Sequence, residues 1–424
     1  MRRIIRVIQL AVFCLFVLTA NRTLAQTDTL RLSFKDAEKR FLENNFSLLA
    51  QKYNVDATKA LVEQARLWDN PVLSTDQNIT DNTHRYFNHS GNNGQIFVQM
   101  SQLIQTAGKR GKQIKVAEDA GRVQEAEFTD MLRNLRYNLQ LDLAQAANLA
   151  GQNKIYQAEI NAATELVNAV DKSYQSGNSS LKDLVRLKAL LFTLQNQQID
   201  NRRQLNDLQK ELKTLLAVDP AVFIQPLIAD AGPAQTLSPE LLYEQAMASR
   251  GDHLANKYTL DQSNDELILQ KALAKPDVTV GAAYDQNSSY ARHYVGLQIS
   301  LPIPLFNRNQ GNIKSAQFAA KSQEMVVKNS ELQLKADVYA AVQQYKLSQQ
   351  LLNNTETDFY ERYDNIFNAM LKSFQQRQIG LPEFIDFFDS YKETKIKILQ
   401  LQLELQKSIA DLNYAVGTNV VTIP

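Results

Sequence analysis

After Ala25 the chain has no cysteine, because the single cysteine in the sequence is Cys14. This absence excludes disulfides, thiol catalysis and cysteine-ligated metal sites from the rest of the chain. The same part has no apolar run long enough for a membrane-spanning helix. It also has no phosphate-binding glycine loop, nucleophile motif or histidine–carboxylate cluster, so the sequence predicts neither an enzyme nor a cofactor.

Residues 1–25 have the pattern of a secretory signal peptide. A basic start with three arginines is followed by an almost wholly apolar stretch at 7–19. The alternative, an uncleaved membrane anchor, requires about 20 apolar residues. Without the four arginines at positions 2, 3, 6 and 22 the formal net charge falls from +1 to −3. We therefore expect an exported protein without a basic surface for nucleic acid.

The remaining sequence contains an internal repeat. The spacing from Pro71 to Pro276 equals the spacing from Lys52 to Lys257. Each proline opens two short alternating stretches, and a long segment without proline follows them. A repeat of this kind predicts that one structural unit occurs twice in the chain.

The proline-free segments, 111–176 and 311–379, define the organisation of the two units. At 1.5 Å per residue, each is sufficient for a helix of about 100 Å. We expect a first repeat at 26–218 and a second at 240–424, each with short helices before its strands. The segment 219–239 contains four prolines and is predicted to link the two repeats.

Helical periodicity supports two long helical hairpins, 108–217 and 310–416. Leucine recurs with alternating spacings of three and four over 184–215, and only Gln198 and Asn201 interrupt it. This spacing is typical of a coiled-coil seam. A seven-residue repeat continues in the second half, so we expect both pairs of helices to lie antiparallel.

Two β-hairpins, 72–103 and 277–303, precede the long helices. The four predicted strands are 72–80, 94–103, 277–284 and 293–303. In the last strand Val295, Leu297 and Ile299 share one face, and polar residues occupy the other. Strands of this length and alternation are typical of a barrel wall with lipid outside and water inside. The alternative is an ordinary sheet that packs on a core.

Four strands are too few to close a barrel with an open lumen. Open sheet edges are not tolerated in lipid, because their backbone groups lack hydrogen-bond partners there. Several chains must therefore contribute strands if the sheet is a membrane barrel. The sequence alone does not fix their number.

Two motifs follow the hairpins directly, at the predicted junctions between barrel and helices. They read Gln-Thr-Ala-Gly-Lys-Arg-Gly at 105–111 and Leu-Pro-Ile-Pro-Leu-Phe-Asn-Arg-Asn-Gln-Gly at 301–311. Both place glycine where positive φ angles are often needed. The junction residues of interest are Gly108, Lys109, Arg110, Gly111, Pro302, Pro304, Asn307 and Gly311.

On these motifs and on the order of elements, the chain strongly resembles the TolC-like outer membrane efflux protein family, and within it the cation-efflux branch. The resemblance covers essentially the whole chain after Ala25. It implies a mainly α protein with a β-barrel part, in which three chains pool four strands each into a twelve-stranded outer membrane barrel. The long helices then continue the barrel as a coiled-coil tunnel across the periplasm.

The resemblance also implies residues at the tips of the helical hairpins. Tyr174, Gly177 and Asp183 match the first tip of the family, and the second tip is matched by Gly380, Asp386 and Asp389. We expect the three aspartates to form the aperture, because rings of acidic side chains select cations. The alternative is that each aspartate is a solvated charge near a helix start.

The second tip departs from the family pattern at two positions. Arg377 and Pro382 stand where well-known members place a tyrosine and an arginine that lock the closed tip. The resemblance places both residues at the tips, which dock the periplasmic adaptor. It implies a homotrimer that works with this adaptor and an RND-type pump of the inner membrane.

The function expected from these observations is a passive outer membrane duct that exports metal cations. One alternative is the same duct with drugs or secreted protein as its cargo, and another is a secreted coiled-coil scaffold. His84, His89 and His293 lie in or beside the predicted outer loops, without the tight spacing of metal ligands. No metal site is predicted there.

Overall fold

A computed structural model describes residues 28–80, 84–90, 94–227, 236–353 and 357–421. The predicted signal peptide, 1–25, lies outside these residues. The strands are β1 (Thr29–Ser33), β2 (Val72–Gln77), β3 (Ile96–Ile104), β4 (Phe223–Leu227), β5 (Val278–Asn287) and β6 (Arg292–Ser300). The helices are α1 (Phe34–Asn44), α2 (Phe46–Arg66), α3 (Lys109–Gln175), α4 (Leu181–Leu216), α5 (Pro239–Ser249), α6 (Gly251–Leu273), α7 (Gln310–Asn353), α8 (Thr357–Gln375) and α9 (Leu381–Val416).

Several helices recur along the chain, and two pairs of them have equal lengths. The pair α1 and α2 recurs as α5 and α6, with the same offset as the two prolines of the repeat, and α1 and α5 each have 11 residues. The long helices α4 and α9 begin at Leu181 and Leu381, and each has 36 residues. The offset between the copies is therefore slightly shorter for these long helices than for the short ones.

Equivalent side chains join the short helices to the ends of the long helices. The amide of Asn45 donates to the carbonyl of Leu215 at 2.8 Å. In the second copy, Arg250 donates to the carbonyl of Ala415 at 3.4 Å. These contacts satisfy carbonyls that have no partner within the last turn of a helix. The two copies thus stabilise the same helix terminus with different side chains.

Four strands form one antiparallel sheet in the order β2-β3-β5-β6. Its register places Leu73 beside Met100, Met100 beside Ala282, and Ala282 beside Leu297. Because side chains alternate along a strand, this row and its neighbours two residues away share one face. The two β-hairpins of the repeat therefore build a single four-stranded sheet.

The segment 219–239, which we expected only to link the repeats, also contains strand β4. It pairs in parallel with β1 near the start of the described chain, with Leu30 opposite Ile224. The side-chain amide of Gln209 on α4 accepts a hydrogen bond from the N–H of Ile224 at 2.9 Å and donates one to the carbonyl of Ile224 at 2.7 Å. The linker is thus partly held against the first helical hairpin.

Three apolar clusters fill the helical part. One lies where α1, α3, α4 and the small sheet meet, and a second lies among α5, α7 and α9. The third lies at the tips, where Leu187 of α4 and Phe384 and Phe388 of α9 are fully buried. Within the described chain, no helix combines the length and apolar character needed to cross a membrane.

Candidate functional site

The four-stranded sheet has one apolar face and one polar face. On the apolar face Val295 and Leu297 of β6 are each 74% exposed. On the opposite face Gln99 is hydrogen-bonded to Gln298, and Gln95 donates to Asp285 at 2.6 Å. The sheet therefore presents unpacked apolar side chains on one side and a hydrogen-bonded polar surface on the other.

Exposed aromatic side chains lie near both ends of this sheet. Tyr86 and Tyr290, in the connections at one end, are 75% and 90% exposed. Trp68 before β2 and Phe306 after β6 lie near the other end and are 63% and 92% exposed. The apolar face is thus bordered by aromatic rings at two levels.

The first junction between sheet and helix is built around a buried lysine. Gly108 has a φ of 66°, as expected for a glycine at this turn, and it caps α3. Lys109 is buried and lies 2.7 Å from the Asp277 carboxylate, and it donates to the carbonyl of Lys275 at 2.6 Å. This ion pair connects the first repeat with the start of the second repeat's sheet strand.

The Asp277 carboxylate is held in its ionised form. Burial opposes ionisation, but the Lys109 ammonium and the N–H of Thr106 outweigh it and lower the pKa of Asp277 below its usual value. The next residue, Arg110, lies over the ring of Trp68 at 3.9 Å. Gly111 lies within α3, where an added Cβ would meet no atom within 4 Å, so its lack of a side chain has no structural explanation.

The second junction differs from the prediction. We expected Gly311 to supply a positive φ, but it lies within α7, and Asn309 takes this conformation with a φ of 58°. Asparagine tolerates the left-handed region better than most residues. The N–H of Asn309 donates to the side chain of Asn307 at 3.0 Å. Pro302 and Pro304 are exposed in the irregular segment that precedes this turn.

The two hairpin tips have the same backbone structure at equivalent positions of the two repeats. The N–H of Gly177 donates to the carbonyl of Tyr174, and the N–H of Arg377 donates to the carbonyl of Phe374, each at 2.9 Å. Gly177 has a φ of 77° and Arg377 a φ of 61°. The left-handed residue of the first tip, Gly177, is therefore equivalent to Arg377 of the second tip and not to Gly380.

Gly380 instead occupies the helix-capping position that Ser180 holds in the first tip. The equivalent of Asp183 is then Glu383, in the first turn of the second helix, and Asp386 and Asp389 have no acidic counterparts. Pro382 stands in this same first turn, where its missing N–H costs no hydrogen bond.

Arg377 joins the two tips within one chain. Its guanidinium donates to the hydroxyl of Ser173 and to the carbonyl of Asn178, each at 3.4 Å. Both acceptors belong to the first tip, beside the exposed ring of Tyr174. The residue that departs from the family pattern thus forms a contact between the hairpins.

The three predicted aperture aspartates have different surroundings. Asp183 accepts a hydrogen bond from the Ser180 hydroxyl at 2.7 Å, and Ser180 accepts from the N–H of Asp183. Asp386 is exposed. Asp389 pairs with Lys392 at 2.9 Å. Only Asp386 presents its charge to solvent without a bond to another side chain among the described residues.

Glu159 is not among the site residues predicted from the sequence, but it is the most buried carboxyl group near the tips. It lies on α3 and is 2% exposed, and its two carboxyl oxygens have no hydrogen-bond partner among the described residues. Burial raises the pKa of Glu159 to about 8, although the positive charge of Lys392 opposes this rise. A glutamate within an apolar helical pattern was the signal that could have identified it.

His84, His89 and His293 lie in or beside the connections at one end of the sheet. His293 has a φ of 59°, and its Nδ1 lies 2.7 Å from the hydroxyl of Tyr284. No group of three or more histidine, cysteine, aspartate or glutamate side chains with metal-binding geometry occurs within the described ranges.

Comparisons with known proteins match this architecture. A family model described as "Outer membrane efflux protein" matches residues 39–218 and 242–418. The chain is 22% identical over 358 residues to the cobalt-zinc-cadmium resistance protein CzcC of Cupriavidus metallidurans, covering 84% of this chain and 83% of that protein.

Solved structures with the same fold are outer membrane proteins. The structure of VceC from Vibrio cholerae has a TM-score of 0.73 and 16% identity, with 91% of this chain and 96% of that chain covered. The CmeC channel of Campylobacter jejuni has a TM-score of 0.74 and 14% identity, with 92% of this chain and 86% of that chain covered.

Proposed function

The chain belongs to the outer membrane efflux protein family, and we propose that it is the passive export duct of a tripartite system that removes metal cations. The observation that carries the proposal is the two-faced sheet. Its apolar face suits lipid, and its polar face suits a water-filled lumen. The aromatic side chains near both ends of the sheet suit the two membrane interfaces.

The helices support a ring of identical chains. Within the chain, α6 packs on both α7 and α3. By the repeat, α2 is equivalent to α6 and packs on α3, but its outer face carries Phe46 at 78% and Tyr53 at 72% exposure. The helix α7 exposes Phe318, Met325 and Leu332 at seven-residue spacing. We infer that α2 of one chain packs on α7 of the next.

We propose that this ring is a homotrimer. Three chains with four strands each supply twelve strands, enough for a barrel with an open lumen. The helical hairpins then form the tunnel, and its tips dock a periplasmic adaptor and receive cargo from an RND-type inner membrane pump. Energy must come from the pump.

At the tips we propose that Asp386 and Asp389 line the aperture, with Asp183 at its edge. Acidic side chains repeated by threefold symmetry attract cations and repel one another. The exposed tip segments, with Tyr174, Gly177 and Pro382, are then available to the adaptor.

The cargo is inferred from the resistance protein that is similar over most of the chain. Deletion of the gene is expected to lower tolerance to cobalt, zinc and cadmium, and the full-length gene on a plasmid is expected to restore it. Unchanged metal tolerance with increased sensitivity to drugs or detergents would reject metal cations in favour of the alternative cargo.

Fractionation of cells separates the duct from the remaining alternative, a secreted scaffold. The duct must remain with the outer membrane and require detergent for extraction, and it must then migrate as a trimer. Recovery as a monomer from the periplasm without detergent would reject the duct itself.

A further inference from the structure

A cavity of about 890 Å³ lies between the two helical hairpins, next to the apolar cluster of the tips. Its walls come from α3 of the first hairpin and from α8 and α9 of the second, with Leu352 of α7. Apolar side chains such as Ile155, Leu371 and Ile398 form most of the lining. This volume is within the range of sites that bind drug-sized molecules.

One unsatisfied polar group belongs to this lining. Glu159 is almost completely buried, and neither of its carboxyl oxygens has a hydrogen-bond partner among the described residues. Buried polar groups nearly always have partners, because an unpaired one loses the hydrogen bonds it would make in water. The Glu159 oxygens are buried in the empty site, so a ligand that donates hydrogen bonds would satisfy them after the side chain rotates toward the cavity.

The other charges of the lining are compensated or exposed. Asp364 of α8 accepts from Lys395 at 2.6 Å and from the Tyr391 hydroxyl at 2.5 Å. Lys154 is exposed to solvent. Behind the lining, Lys392 is buried but already paired with Asp389. Among the described residues, Glu159 is therefore the buried acid of the lining that takes part in no hydrogen bond or ion pair.

Aromatic rings form part of the wall on the second hairpin. The rings of Phe367 and Tyr391 are stacked with centroids 4.3 Å apart, and Tyr363 lies 5.4 Å from Tyr391. Aromatic rings attract cations through their negative faces. A bare metal ion does not suit this site, because it would find only one carboxylate that is not already paired, among mostly apolar side chains.

We propose that this cavity is a binding site for a hydrophobic organic ammonium ion, with Glu159 as its carboxylate partner. The ammonium group donates to Glu159, and the apolar body of the ligand occupies the space between α3, α8 and α9. Because the walls belong to both hairpins, an occupant connects them. The proposal does not depend on the identity of the exported cargo.

The proposed pairing predicts that proton and ligand compete. Glu159 faces Lys392, Asp389 and Tyr391 on α9 and Tyr156 on its own helix, with the Asp364–Lys395 pair on the far wall. In the empty site burial favours the protonated acid. Ammonium binding requires the carboxylate, so binding releases a proton and strengthens as the pH rises toward 8.

The test is isothermal titration calorimetry of the detergent-solubilised full chain with 1-adamantylamine at pH 7 and pH 8.5. The neutral isostere 1-adamantanol serves as the matched ligand. We expect one amine per chain, at least about tenfold tighter binding of the amine than of the alcohol, and proton release that is detected by comparing buffers of different ionisation enthalpy.

Three variants test whether the amine binds in this cavity and through Glu159. Glu159→Gln is expected to weaken amine binding at least about tenfold and to leave alcohol binding unchanged. Glu165→Gln, at an exposed position of the same helix, is the control and should change neither. Ala158→Phe, which places a ring at the lining, should weaken both ligands. Equal amine affinity in wild type and Glu159→Gln overturns the proposal, as does zinc binding through Glu159 without any amine binding.

Discussion

The middles of the two helical hairpins are packed differently. In the first hairpin, Gln198 of α4 donates to Gln157 of α3 at 3.0 Å, and Asn201 donates to Gln152 at 3.3 Å. In the second, the residues at the equivalent positions are Ile398 and Leu401. Both line the cavity.

The two repeats share some features of their hairpins and differ in the packing of the middle. The helices α4 and α9 have the same length, the tip backbones agree, and each hairpin has an apolar cluster at the end farther from its tip. The two amides that interrupt the first leucine seam bridge the helices directly, whereas larger apolar side chains at the same positions border an open space. Apolar character alone therefore does not close a seam.

The largest expected effects test whether the two hairpins are equally well packed between their middles and the ends farther from the tips. Leu205→Ala and Leu405→Ala remove equivalent buried side chains, so each should lower the free energy of unfolding by about 2–4 kcal/mol. Leu401→Ala removes a half-buried side chain that already borders a cavity, and should cost about 1 kcal/mol. Thermal unfolding in detergent at one fixed scan rate measures all three. A Leu401 variant as unstable as the Leu405 variant would show that the middle is packed.

The second test addresses the buried acid beside the cavity. The pKa of Glu159 is raised to about 8 in the folded protein, from an ordinary value near 4.5. The folded state therefore holds a proton that the unfolded state releases, and wild-type stability should fall as the pH rises from about 4.5 to 8. Glu159→Gln removes this penalty, so it should stabilise the protein at pH 7 by roughly 1–3 kcal/mol.

Scans across pH distinguish this cause from a general packing effect. The stability difference between Glu159→Gln and wild type should be small near pH 4.5, increase with pH and become constant above about pH 8. The exposed Glu165→Gln variant should follow the wild type throughout. A difference that does not vary with pH would mean that Glu159 is ionised in the folded protein or acts only through its shape.

Features encoded by local patterns could be predicted from the sequence. The leucine spacing of α4 and the alternation of Val295, Leu297 and Ile299 each depend on residues a few positions apart, and the helices and the two-faced sheet follow them. The glycine of the Gly-Lys-Arg turn likewise marked a positive φ at Gly108. Local chemistry determines each of these features.

Features that depend on distant residues could not be predicted in this way. The pairing of β1 with β4 joins Leu30 to Ile224, and no local signal relates them. The left-handed residue of the second tip has no local marker, because Arg377 takes the conformation that glycine takes at the first tip. The burial of Glu159 depends on α9, which belongs to the other repeat.

The third test changes the residue with the left-handed conformation at each tip. Gly177→Ala should cost about 1 kcal/mol through backbone strain alone, since an added Cβ meets no atom within 4 Å. Arg377→Gly relieves similar strain but removes the contacts with Ser173 and Asn178. Its thermal stability should therefore remain within about 1 kcal/mol of wild type, while the open fraction in single-channel recordings increases. An unchanged open fraction would mean that the arginine does not restrain the tips.

The smallest expected effect concerns the acidic residues that only the second tip carries. Asp386→Asn together with Asp389→Asn should lower the cation preference of the open channel by roughly two- to tenfold, or ~0.4–1.4 kcal/mol, because the charges act through water. Asp389 is already paired with Lys392 at 2.9 Å, so Asp386→Asn alone should account for most of the change.

Asp183→Asn is the matched control from the first tip, where the carboxylate is engaged with Ser180 at the helix start. Reversal potentials in a potassium chloride gradient measure the preference for all four proteins. If Asp183→Asn changes it as much as Asp386→Asn, the two tips contribute equally to the aperture despite their different acids, and if no variant changes it, the aperture is formed by other residues.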